Sequence, residues 1–432
     1  MKRKLIIWIC GLLLTQSLPA QESRTLTLKE AIELALKNSK QLKNNESKIR
    51  EALAAVKEAE EKKLPETGVS GSYMYLPVQP TIDLKSGSGA GGPSVNQVIY
   101  GSLNLSMPLY NGGKTRYGIE SARLLAEAVK LDADNDRSAV VLNIVNACIN
   151  LYKAHSAITL VKESLLQSQQ RVKDFTNLEK NGLLARNDLL KAQLQQSNVE
   201  LTLLDAESNY KLACVNMNIL MGLPEQTVLV PDKNGLALPE MIKTLDEYEQ
   251  AALQSRKDIH AIDFRKKAAA ISIKTIRADR YPSVSLTGGY IAADIPKFLT
   301  VYNAINVGVG IRYNIASLWK GKAREAGARE HLQQVSIMQE MLSDNIRLQV
   351  NQAYQGYLVS VKKIEVYEKS EIQATENYRI TKNKYDNALA TTTELLDADV
   401  ALLQARLGVT NAKADSFLAY NKLLQVTGQL NY

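Results

Sequence analysis

The chain is written twice, and no other feature limits its fold as strongly. "TLKEAIELALKNSKQL" from Thr27 returns as "TLDEYEQAALQSRKDI" from Thr244, an offset of 217. At that offset Leu28 meets Leu245, Glu30 meets Glu247, Pro65 meets Pro282, Gly71 meets Gly288 and Tyr73 meets Tyr290. Further along the offset becomes 206, where Val140, Ile144, Ala147, Leu151 and Ile158 face Ile346, Val350, Ala353, Tyr357 and Ile364. "GLLARNDLLKA" (182–192) then corresponds to "ALATTTELLDA" (388–398). Self-similarity over nearly the whole chain means one structural unit used twice, not two unrelated domains. The repeats divide as residues 21–232 and 233–432, with 223–245 linking them.

Each copy has the same order of elements. A capping box opens it (Thr27-x-x-Glu30, Thr244-x-x-Glu247), in which hydroxyl and carboxylate satisfy backbone donors at a helix start. A helix with three-four spacing follows (Leu42, Ile49, Leu53, Val56) and ends at Pro65 or Pro282. Period-two alternation then predicts strand pairs over about 66–109 and 283–314. Long helical segments close each copy, over 113–221 and 319–428. No proline occurs between Pro108 and Pro224 or after Pro296, as helix interiors require. Residues 114–180 read as one helix or two stacked ones, which at ~1.5 Å per residue reach roughly 100 Å.

The start, "MKRKLIIWICGLLLTQSLPAQ", has a basic head, a short apolar run and a small residue at Ala20. Residues 1–20 read as a secretory signal peptide, so the mature chain is exported. No later stretch nears the roughly 20 apolar residues of a transmembrane helix. Entry into a membrane would therefore be by strands. Losing Lys2, Arg3 and Lys4 lowers the formal charge from +8 to +5, and no basic run points to nucleic acid. Two cysteines remain, Cys148 and Cys214; they exclude a disulfide framework and read as small buried residues, with a single bridge conceivable.

The strands pose the sharpest question. Each has one apolar face, yet rods follow them and no compact helical layer could cover a sheet. In an exported chain the alternative is a membrane β-barrel, apolar outside and polar within. Four strands cannot close one, since such barrels begin at about eight strands. A dimer with eight strands or a trimer with twelve satisfies the count.

"SMPLYNGGKTR" (106–116), "NGLLARNDLLKAQ" and "YDNALATTTELLDADVALLQA" resemble motifs of the TolC-like outer-membrane efflux proteins, in the family's order and duplication. The resemblance covers essentially the whole mature chain. It implies a mainly α fold with a membrane β-barrel: a homotrimer with twelve shared strands, and long helices forming an α-barrel in the periplasm. Residues 223–245 and the C-terminal end would form a belt around it. It also implies a passive exit duct in outer-membrane lipid, coupled through a periplasmic adaptor to an inner-membrane pump of the RND type. Pro108, Gly112 and Gly113 match the strand-to-helix junction; "IRYNIASLWKGKAR" (311–324) lacks that proline.

By the same resemblance, the tip turns fall at Gly182–Asp188 and Ala388–Glu394. Glu394 and Asp397 match the acidic pair whose rings constrict the pore. Asp188 and Tyr385 match a network that latches the tips. The family's basic latch residue is replaced by Ala390, and Arg186 in the opposite turn is the available charge. Without the resemblance, Thr391-x-x-Glu394 is simply another capping box and Asp397 favours the helix dipole. Lys191 stands where the second copy has Asp397, so only the second hairpin can carry the acidic pair.

Enzyme chemistry finds no footing. His155, His260 and His331 are scattered, and no metal-ligand spacing, phosphate loop or nucleophile motif appears; no metal or cofactor is expected. The Gly-rich stretch 86–92 reads as an extracellular loop, and Trp319 as an interfacial aromatic. Two other readings compete with efflux: a type I protein-secretion duct on the same fold, and a periplasmic coiled-coil scaffold. The scaffold leaves the four alternating strands unexplained.

Overall fold

The computed structural model describes residues 24–78, 95–232, 242–296 and 298–430. Residues 1–20, read as a signal peptide, the Gly-rich stretch 86–92, read as an extracellular loop, and residues 233–241 of the inter-repeat segment lie outside them. In chain order the first repeat contains β1 (Arg24–Leu26), α1 (Leu28–Asn38), α2 (Lys40–Glu61), β2 (Glu66–Tyr75), β3 (Gln97–Tyr110), α3 (Lys114–Lys180), α4 (Arg186–Met221) and β4 (Leu229–Pro231). The second contains α5 (Leu245–Ser255), α6 (Lys257–Ala278), β5 (Ser283–Ile295), β6 (Leu299–Arg312), α7 (Ser317–Asp386) and α8 (Thr392–Val426).

The duplication survives in the elements. α1 and α5 both have 11 residues, and α2 and α6 both have 22. Residues 114–180 form one continuous helix of 67 residues. The helix expected to run unbroken to Pro65 instead breaks at Ser39, as its counterpart breaks at Arg256. Neither break contains glycine or proline. Ser39 restarts the helix by accepting a hydrogen bond from the Leu42 amide at 3.3 Å, while Arg256 is anchored by donating to Gln349 (2.9 Å) and to the Val426 carbonyl (3.1 Å). The capping boxes differ too. At Thr244 both halves form; at Thr27 the hydroxyl accepts from Glu30 N, but the Glu30 carboxylate pairs with Arg24.

The chain divides into two compact units, each drawing on both repeats. The first comprises the described parts of Met1–Asn45, Asp134–Lys257 and Ser343–Tyr432. Its core gathers Ile32, Ile144, Val145, Leu151, Met217 and Leu229. There β1 pairs in parallel with β4, three residues each. Side chains fasten the approach to β4: Asn218 donates to the carbonyls of Glu225 (3.1 Å) and Thr227 (2.8 Å), and Tyr210 donates to that of Leu229 (2.7 Å). Cys148 and Cys214 are free thiols; burial pushes the Cys148 thiol up to about 12, which leaves it unreactive at neutral pH.

The second unit, Glu46–Ala133 with Asp258–Leu342, holds a four-stranded antiparallel sheet in the order β2-β3-β5-β6. Its register sorts the side chains by face. One row runs Val69, Leu103, Tyr290, Ile305, and the next runs Thr67, Leu105, Gly288, Val307. Rows of the opposite face run Ser70, Ser102, Ile291, Ala304 and Glu66, Ser106, Thr287, Gly308. There Ser70 and Ser102 share a hydrogen bond of 2.8 Å and Asn104 donates to Ser102 at 3.0 Å. The apolar face is uncovered: Val69 is 83% exposed and Val307 79%. Water would penalise such a face, and lipid would not. All four helix-linked strand ends lie at one end of the sheet, since Glu66 pairs with Ser106, Val284 with Tyr110 and Ser283 with Arg312. No described helix is long and apolar enough to cross a membrane.

Candidate functional site

The two helical hairpins of the first unit turn at equivalent places. α3 ends in a Schellman motif: Gly182 N–H donates to the Glu179 carbonyl (2.9 Å) and Leu183 N–H to that of Leu178 (2.8 Å). α7 ends the same way, with Ala388 N–H on Tyr385 (2.9 Å) and Leu389 N–H on Lys384 (2.8 Å). The motif needs a left-handed residue, supplied by Gly182 at φ 74° and by Ala388 at φ 58°. Alanine strains this conformation and glycine does not. Ala388→Gly should therefore stabilise the second turn by about 1 kcal/mol. Amide exchange around 384–391 should slow roughly fivefold; unchanged or faster exchange would contradict it.

After each turn a new helix begins, and the two starts differ. Thr391 caps α8 with both halves of the box: its N–H and hydroxyl donate to Glu394 Oε2 (2.6 and 3.0 Å), and Glu394 N–H donates to Thr391 Oγ1 (3.2 Å). The Thr391 backbone N–H, then its hydroxyl, hold the Glu394 carboxyl below the usual carboxylate range. A depressed folded-state value means that this contribution is present at neutral pH and is lost only as pH falls through that lowered value. Glu394 and Asp397 are both exposed, one turn apart on α8. α4 starts at Ala185 with no side-chain cap. Asp188 pairs with Lys191 (3.4 Å), whose ammonium also donates to Thr393 at 3.2 Å and so ties the two hairpins together.

Of the residues matched to a latch, Arg186 pairs with Glu179 across its own turn at 3.5 Å. Tyr385 stacks on Phe175 with ring centroids 5.6 Å apart, over buried Leu189, Ala192 and Leu395. Within one chain, then, Asp188 and Tyr385 face different partners.

In the second unit, Pro108 pairs with Ser285 where the β3–β5 register shifts before Tyr110; a bulge suits a residue with no N–H to give the ladder. Gly112 (φ 66°) and Gly113 (φ 85°) then turn the chain into α3. A Cβ on Gly112 would lie 2.5 Å from the Ala278 carbonyl oxygen and 2.9 Å from Tyr281 Cβ.

The sequence profile described as "Outer membrane efflux protein" matches residues 31–223 and 249–429, one block in each repeat. The chain belongs to that family. Among relatives of this efflux protein, "Outer membrane efflux protein BepC" of Brucella suis is 22% identical over 420 residues, covering 96% of this chain and 88% of the relative. "Outer membrane protein TolC" of Vibrio cholerae is 20% identical over 371 residues, 82% of either chain. The fold matches that of the outer membrane protein VceC from Vibrio cholerae with a TM-score of 0.74 at 20% identity, covering 93% of this chain and 96% of the other. The efflux protein is thus TolC-like in fold, resides in the outer membrane with its helices in the periplasm, and is not an enzyme.

One feature of the efflux protein's tip was missed from its sequence. Arg171 of α3 donates to Asp399 of α8 at 2.8 Å and to the Tyr378 hydroxyl of α7 at 3.2 Å. The side chains of Arg171 and Asp399 are only 9% and 5% exposed. Burial works against the guanidinium charge, but the hydrogen bond and charge of Asp399 outweigh it and raise the Arg171 pKa. A signal existed: Asp399 lies four residues after Leu395 and three before Leu402, a charge in an apolar stripe.

Proposed function

We propose that three copies of this efflux protein close a twelve-stranded β-barrel above a helical tunnel and form a passive exit duct. An inner-membrane pump of the RND type supplies the energy and passes small molecules on through a periplasmic adaptor. The observation that carries this reading is the sheet with two open edges and an uncovered apolar face. Its strands alternate in direction from β2 to β6, so β6 of one copy meets β2 of the next in antiparallel sense. Closure removes both edges, which would otherwise invite indiscriminate pairing. Exposed Leu190, Leu194 and Leu201 on α4, with Met338 and Met341 on α7, supply further surface for neighbouring copies.

At the tip, Glu394 and Asp397 of each copy form an acidic ring that attracts cations and narrows the pore. Asp188, Tyr385 and Arg186 latch the tips through contacts made between copies. Cross-linking in cells, followed by purification of the tagged chain, tests the assembly. The expected product has the mass of three copies and brings down an adaptor and an inner-membrane pump; a two-copy product would contradict the barrel count. A deletion strain should accumulate small toxic molecules with its secreted proteins unchanged. Loss of a secreted protein would instead favour the secretion reading.

A further inference from the structure

The helix-linked end of the sheet carries an excess of positive charge that the protein does not neutralise. Asp279 accepts from Lys114 (2.8 Å) and Arg324 (3.0 Å). Glu325 accepts from Arg277 (2.8 Å), Arg280 (2.5 Å) and Arg329 (2.7 Å). Five cations thus share two carboxylates, and because Asp279 adjoins Arg280 and Arg324 adjoins Glu325, the groups make one patch. The acids sit inside: Glu325 is 9% exposed and Asp279 21%, against 39–60% for the five cations. An arginine has five N–H donors, so one or two bonds to a shared carboxylate leave most of them pointing at something else. Lys320 and Lys322 add two exposed cations with no ion pair among the described residues.

Level and neighbours indicate what the patch meets. β6 ends at Arg312, and exposed Tyr313, Ile315, Leu318 and Trp319 lead into "KGKAR" at 320–324. Apolar and aromatic side chains followed at once by bases mark the boundary between hydrocarbon and headgroups. Guanidinium groups match phosphate oxygens in geometry as well as charge. We infer that this collar, Lys114, Arg277, Arg280, Lys320, Lys322 and Arg324, binds the phosphate headgroup of anionic phospholipid in the periplasmic leaflet. The inference rests on placement in the outer membrane, and is independent of what the duct exports.

The test is lipid selection by the full-length protein reconstituted in mixed phosphatidylglycerol–phosphatidylcholine vesicles carrying a trace of either spin-labelled lipid. The wild type should hold the phosphatidylglycerol label about fivefold more strongly than the phosphatidylcholine label. Lys320→Gln/Lys322→Gln/Arg324→Gln should bring the ratio to near one; Lys114 still holds Asp279 in that variant. Should the variant fail to assemble, the wild type alone decides: 0.5 M NaCl should collapse its preference by screening. Equal retention of both labels by the wild type, or a preference that survives salt or the triple substitution, would overturn the inference. So would displacement of the lipid by inorganic phosphate beyond that caused by chloride of equal ionic strength, which would mark a site for a soluble anion.

Discussion

Asp399→Ala should loosen the tip of the helical hairpins more than any other single change in that region. Removing one member of a buried pair costs about 3–5 kcal/mol, because the other is left as an uncompensated buried charge. Here that charge is Arg171, only 9% exposed and left with the Tyr378 hydroxyl as its described partner. The pair also joins three helices, so its loss frees α8 from α3 and α7 together. Amide exchange in 168–178 and 392–402 should accelerate by about 10²-fold to several 10³-fold, the equivalent of that energy, while the β-sheet keeps its protection. Replacing both residues by leucine should restore most of the protection, since an apolar pair of similar volume removes the stranded charge. Acceleration no greater than that of an exposed substitution would show that the pair carries little weight.

Gly112→Ala should be nearly as damaging, for steric reasons. The left-handed backbone costs an alanine roughly 1–2 kcal/mol. The new methyl would meet a backbone oxygen at 2.5 Å and a Cβ at 2.9 Å, neither able to swing aside. Overpacking of that kind adds about 1–3 kcal/mol. The strand-to-helix junction should therefore fail to form, seen as loss of the outer-membrane species. Gly182→Ala is the control: φ is again positive at 74°, but nothing lies within 4 Å of its Cβ position. The chain already performs that experiment, because Ala388 occupies the equivalent turn at φ 58°. Normal assembly of Gly112→Ala would refute the steric account.

Much of this fold was legible because duplication made each weak signal appear twice. Single alternating segments such as 284–290 are ambiguous; two pairs at equivalent places in two repeats are not. The strands β1 and β4 were illegible for the opposite reason. Three residues show no period, and they pair only because Leu26 and Leu229 are buried in one core. The breaks at Ser39 and Arg256 rest on side-chain hydrogen bonds, which no breaker residue announces. At the tip the Gly182 turn could be read from its glycine. The Ala388 turn could be found only by alignment to it. The Arg171–Asp399 pair needed the packing of three helices, which the spacing within one segment cannot supply.

Single-channel recording in planar bilayers under a KCl gradient tests the proposed duct most directly. The wild type should conduct with a reversal potential displaced toward that of potassium. Glu394→Ala/Asp397→Ala should still conduct, with its reversal potential moved toward zero, because the acidic ring and its attraction for cations are gone. No channel activity from the wild type, or an unchanged reversal potential in the double variant, would contradict the account.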